Sequence, residues 1–186
     1  MKRCLISMCI VVALFHCAVA DTWLDPNTGI QWAYTVLPDD TLSLGGDQSS
    51  SYVLPATAVP TTTAGSLAIP SNIDGRDVSN IGDYAFLKCV ELTAVIIPGG
   101  VTNIGRSAFS GCTKLVEIDI PNSVNTIDQF AFNGCKSLAN IHWPMSLRVL
   151  GNSSFCETNI EHLAYTRQLR LAELRDTPVN IGQDCL

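Results

Sequence analysis

The stretch Ile104-Gly105-x-x-Ala108-Phe109-x-x-Cys112-x-x-Leu115 is followed 23 residues later by Ile127-Asp128-x-x-Ala131-Phe132-x-x-Cys135-x-x-Leu138. It is preceded at the same distance by Ile81-Gly82-x-x-Ala85-Phe86-x-x-Cys89-x-x-Leu92, and a looser copy, Leu150-Gly151-x-x-Ser154-Phe155, comes last. Phe86, Phe109, Phe132 and Phe155 are therefore evenly spaced. A unit this short cannot bury its own apolar face, so successive units must stack and share one continuous core. The function of such a chain belongs to the exposed surface of the stack.

Between the units lie short apolar segments that end in proline: Val95-x-Ile97-Pro98, Ile118-x-Ile120-Pro121 and Ile141-x-Trp143-Pro144. Alternation before a breaker reads as a strand, and the proline, which has no amide to donate, ends it and begins a turn. The remaining apolar positions, Val101, Ile104, Ala108 and Phe109, then Val124, Ile127, Ala131 and Phe132, are three to five apart or adjacent. That spacing predicts a short helical or irregular return arm with one face inward. The phenylalanines are expected in one column, with Ala108 and Ala131 in another. Gly82, Gly105 and Gly151 read as a backbone position needing unusual angles, although Asp128 at that place shows the demand is not absolute.

The run Ile120-Pro121-Asn122-Ser123-Val124-x-x-Ile127-x-x-x-Ala131-Phe132-x-x-Cys135-x-x-Leu138 resembles the repeat of BspA-like leucine-rich-repeat proteins. Gly65-Ser66-Leu67-Ala68-Ile69-Pro70, leading through Asp74-Gly75 to Ile81, resembles the longer opening unit of such proteins. The resemblance covers residues 65 to 165. It implies a right-handed leucine-rich-repeat solenoid of the α/β type: a short parallel β-sheet, helical or irregular return arms and about four coils. It also implies adhesion or recognition outside the cell, and supplies no catalytic residues.

With 186 residues, 47% of them hydrophobic, the chain supports one modest domain. Residues 1–20 are set apart: Lys2 and Arg3 precede an apolar run from Cys4 to Cys17, then Ala18-Val19-Ala20. This is the order of a secretory signal, with cleavage expected after Ala20 and no membrane span thereafter. Without Lys2 and Arg3, nine basic residues face seventeen acidic ones, a net charge of −8. Such a chain repels phosphate, which excludes nucleic acid as a partner class. Of eight cysteines, three fall in the signal and Cys89, Cys112 and Cys135 share one repeat column. They are read as buried thiols rather than bridges, because side chains one coil apart point in parallel into the core. Cys156 and Cys185 lie outside the column, and their pairing is a separate hypothesis.

Residues 21–64 break the repeat. Trp32-x-Tyr34-x-Val36 and Leu42-x-Leu44 alternate about a Pro38-Asp39-Asp40 turn, predicting a β-hairpin that caps the first coil, followed by a linker. Residues 166–186, with Leu169, Leu171 and Leu174 among arginines, are read as a C-terminal cap. The sequence stops at Leu186 without a sorting tail, so the expectation is a released protein, one held by partners, or part of a longer chain.

On the strands, residues between core positions face outward. Two outward ladders follow: Ser66, Ala94, Glu117, Asn140, His162, and beside it Ala68, Ile96, Asp119, His142, Ala164. Glu117, Asp119, Asn140, His142 and His162 thereby form the candidate partner-binding patch for a protein or glycan. Imidazole and carboxylate side by side also raise a divalent-metal site, though no metal, cofactor or catalytic residue is assigned. The serines lack a nucleophile elbow, the Gly45-Gly46-Asp47 and Pro98-Gly99-Gly100 turns are not phosphate cradles, and Asn152-Ser153-Ser154 is a lone sequon. The leading reading is a secreted or cell-surface binding module rather than an enzyme. A self-assembling envelope protein is the alternative, and a small hydrolase using Asp119 and His142 is remote.

Overall fold

A computed structural model describes residues 20–45 and 57–160. The expected signal, apart from Ala20, and the expected C-terminal cap fall outside these residues, as do His162 and Cys185. The described strands are β1 (Asp21–Leu24), β2 (Gln31–Val36), β3 (Leu42–Leu44), β4 (Gly65–Ala68), β5 (Asn72–Ile73), β6 (Arg76–Ile81), β7 (Leu92–Ile96), β8 (Asn103–Ile104), β9 (Glu117–Asp119), β10 (Thr126–Ile127), β11 (Asn140–Ile141) and β12 (Val149–Leu150).

Strands β4, β7, β9 and β11 pair in that order, all parallel, and form the sheet whose strands lead into the proline turns. A second parallel array, β3, β6, β8, β10 and β12, runs through the return arms, and β1 and β2 extend it antiparallel at the N-terminal end. One continuous core lies between the two sheets, built from the repeated Val, Ile, Ala, Phe, Cys and Leu positions.

The return arms are not helical: among the described residues there is no helix. The backbone bonding shows why. Tyr84, Phe86 and Lys88 donate their amides to Arg106, Ala108 and Ser110 of the next coil, while Ala85, Leu87 and Cys89 donate three residues back within their own arm. The pattern repeats from Ser107, Phe109 and Gly111 to Gln129, Ala131 and Asn133, and from Phe130, Phe132 and Gly134 to Asn152, Ser154 and Cys156. Every second amide thus serves the stack, whereas an α-helix would commit them all along its own axis. Left-handed backbone at two places per arm reinforces this. Tyr84, Ser107, Phe130 and Ser153 have φ of 58°, 51°, 59° and 54°, and Lys88, Gly111, Gly134 and Glu157 have 56°, 74°, 73° and 54°.

The phenylalanines form the expected column. Ring centroids are 4.8 Å apart from Phe86 to Phe109, 5.2 Å from Phe109 to Phe132 and 4.9 Å from Phe132 to Phe155, with planes within 13° of parallel. Trp32 meets Phe86 edge-on at 6.4 Å and Trp143 meets Phe155 edge-on at 5.0 Å, so an indole flanks each end of the described ring column. Cys89, Cys112 and Cys135 are buried free thiols. The Cys112 and Cys135 thiols donate to the Phe86 and Phe109 carbonyls of the preceding coil, each at 3.1 Å. Cys156 is disulfide-bonded.

The Gly82, Gly105 and Gly151 column has a different cause from the one expected. Its glycines do not have positive φ; a Cβ on Gly105 would lie 2.6 Å from Asp83 Oδ1 and 2.8 Å from the Asp83 amide nitrogen. Close approach of successive coils, not backbone angle, selects glycine there. The N-terminal strands continue the stack: Leu42 and Leu44 lie in register with Val78 and Ile81, both fully buried, and Ala58 donates its amide to Ala85.

Candidate functional site

The site lies on the outward face of the β4, β7, β9, β11 sheet. Register fixes it: Ser66 pairs with Ala94, Ala94 with Glu117 and Glu117 with Asn140, while Ala68 pairs with Ile96 and Ile96 with Asp119. The inward residues between them, Leu67, Val95 and Ile118, are at most 2% exposed, which turns the alternate residues to solvent. All pairs are parallel and Ala94, Glu117 and Asn140 follow one another at the 23-residue repeat, so equivalent residues fall on one line across the sheet, which the longer opening unit joins at Ser66.

The result is a groove of about 410 Å³ lined by Ser66, Ala94, Val95, Ile96, Glu117, Ile118, Asp119 and His142. Of the sequence-predicted patch, Glu117, Asp119 and His142 line it, all three exposed. Asn140 lies beside Glu117 by backbone register, and His162 is outside the described residues. Ile96 lines the groove as well, outside the predicted polar patch. It is 51% exposed on a face that the polar neighbours had marked, and its signal was its place in the outward ladder.

No hydrogen bond or ion pair joins Asp119 to His142. Among the described residues no three His, Cys, Asp or Glu side chains gather as a metal-binding group. The described ion pairs lie elsewhere: Arg76 with Asp40 at 2.7 Å, Lys114 with Glu91 at 2.8 Å and Lys136 with Glu157 at 3.9 Å. The Glu117 and Asp119 carboxylates thus face outward beside Ala94 and Ile96, and neither takes part in an ion pair among the described residues.

Comparison with known proteins agrees with the two-sheet stack. The model of the BspA type leucine-rich repeat region matches residues 64–174 in six copies. The chain belongs to the BspA-type leucine-rich-repeat family. Six copies stand against the roughly four coils read over residues 65–165; four strands of the site-bearing sheet lie among the described residues. Among solved structures, the leucine-rich-repeat protein of T. pallidum is 33% identical, with a TM-score of 0.58 over 67% of this chain and 53% of that one. A leucine-rich-repeat protein from Bacteroides capillosus is 26% identical, with a TM-score of 0.53 over 69% of this chain and 88% of that one. This chain therefore spans about half of the T. pallidum protein. A search of curated proteins gives no match.

Proposed function

We propose that this BspA-type protein is a secreted or cell-surface binding module that adheres to or recognises a protein or glycan through the outward face of the β4, β7, β9, β11 sheet. The observation that carries this reading is the groove. Outward residues at the four described strands of that sheet align there over the shared core. BspA-type repeat proteins are generally surface proteins and typically non-enzymatic binders, which supports the same reading. An open, laterally continuous face also suits a macromolecule better than a small substrate, which needs enclosure.

Filling the groove with neutral bulk tests it. Ala94→Gln with Ile96→Gln alters only outward positions. The purified protein is expected to capture a partner from cell-surface, matrix and mucus extracts, with the filled variant weakened by about tenfold or more. Equal capture by both forms would remove the face from consideration. Concentration-dependent sedimentation without capture would favour self-assembly instead.

A further inference from the structure

Resting on that reading, we infer that the groove takes an extended, basic segment of a protein, with lysine or arginine at every second residue, and not a glycan. Glu117 and Asp119 are two apart on β9, so both carboxylates stand on the same side, about 6–7 Å apart along the strand. An extended peptide laid along β9 repeats at that same interval. Its alternate side chains reach the two carboxylates in turn.

The ground beneath suits such side chains. Ala94 and Ile96 on β7 flank the acids, and the half-exposed Ile96 gives the methylene stem of a lysine or arginine an apolar seat while its head reaches a carboxylate. Among the described residues no lysine or arginine lines the groove and neither carboxylate takes part in an ion pair, so an incoming cation displaces none of these residues. The chain carries a formal net charge of −6, which adds a general attraction for basic segments. A sugar finds less: the lining includes no Trp, Tyr or Phe ring to stack against, and an acidic glycan meets two carboxylates.

The probe is an acetylated, amidated peptide of sequence Ser-Thr-Arg-Thr-Arg-Thr-Ser, compared with its citrulline twin and with Ser-Thr-Arg-Arg-Thr-Thr-Ser, whose arginines point to opposite sides. Titration calorimetry of the full chain is expected to show binding of the first, about tenfold weaker binding of the other two, and further weakening by added salt. Glu117→Gln and Asp119→Asn should each cost about three- to fivefold, while Glu91→Gln, which breaks only the remote pair with Lys114, should change nothing. Binding unaltered in the Glu117→Gln, Asp119→Asn double variant would overturn the inference, because only the general charge of the chain would then be acting. If a captured partner is lost on filling the groove yet indifferent to both acid substitutions, the binding face stands and its basic ligand falls. If filling changes nothing, both fall.

Discussion

Lys88 holds a left-handed backbone position, φ 56°, that its column mates Gly111 and Gly134 fill with glycine at 74° and 73°. A side chain in that region crowds its own carbonyl at a cost of about 1 kcal/mol, and Lys88 is exposed with no ion pair described to offset it. Lys88→Gly is therefore expected to stabilise the fold by up to about 1 kcal/mol after the added freedom of the unfolded chain, raising Tm by about 2–4 °C. A thermal melt showing a lower Tm would mean the backbone there is not strained. The same residue type serves a second purpose one turn away. Gly105 is kept small by the Asp83 backbone 2.8 Å from where its Cβ would stand. The glycine column is visible in the sequence but its cause is not, because a demand for positive φ and a demand for space select the same residue. Only the approach of the neighbouring coil separates them.

Strands and arms were legible to different degrees, and for a physical reason. The site-bearing strands announce themselves by alternation and a terminal proline, as in Val95-x-Ile97-Pro98, and their parallel register follows from the constant repeat. The two-residue strands β8, β10 and β12 are too short to alternate, and the arm that follows spaces its apolar residues as a helix would while giving half its amides to the next coil. Periodicity cannot tell these apart. Within that arm the thiol column makes a prediction. Burial, with Cys112 adding to it, pushes the Cys89 thiol from 9.0 up to about 12, and contact with Cys135 together with burial raises Cys112 as well. A thiol harder to ionise when folded leaves stability intact below the unfolded value of 9.0 and withdraws it as pH rises towards 12. Iodoacetamide at pH 8 should thus spare Cys89, Cys112 and Cys135 in the native protein and label them in guanidinium, and the denaturation midpoint should fall progressively above pH 9. Peptide mapping that finds native labelling at these cysteines would contradict the buried column.

The described residues form a stack held along one axis, and each level contacts chiefly the levels next to it. This is why the outward ladder could be aligned from spacing alone: once Phe86, Phe109 and Phe132 are superposed, Ala94, Glu117 and Asn140 must fall in line. What a partner looks like had no such signal, since outward residues are free of the packing that enforces the repeat. The same architecture sets how the protein comes apart. Phe109 is fully buried and stacked on both sides, so Phe109→Ala removes two ring contacts and leaves a void, costing about 3–5 kcal/mol. Because stability in a solenoid is close to a sum of units and nearest-neighbour interfaces, weakening a central interface uncouples the coils before it from those after it. Trp143 contacts Phe155 at the described C-terminal end of the ring column, and Trp143→Ala leaves the interfaces behind it whole. Phe109→Ala is expected to lower the denaturant midpoint and broaden the transition into two steps, with a smaller apparent slope. Trp143→Ala should keep the main midpoint and speed amide exchange only from about residue 140 onward. If both variants instead shift one sharp transition with unchanged slope, the coils unfold as a single unit and nearest-neighbour coupling does not describe this chain.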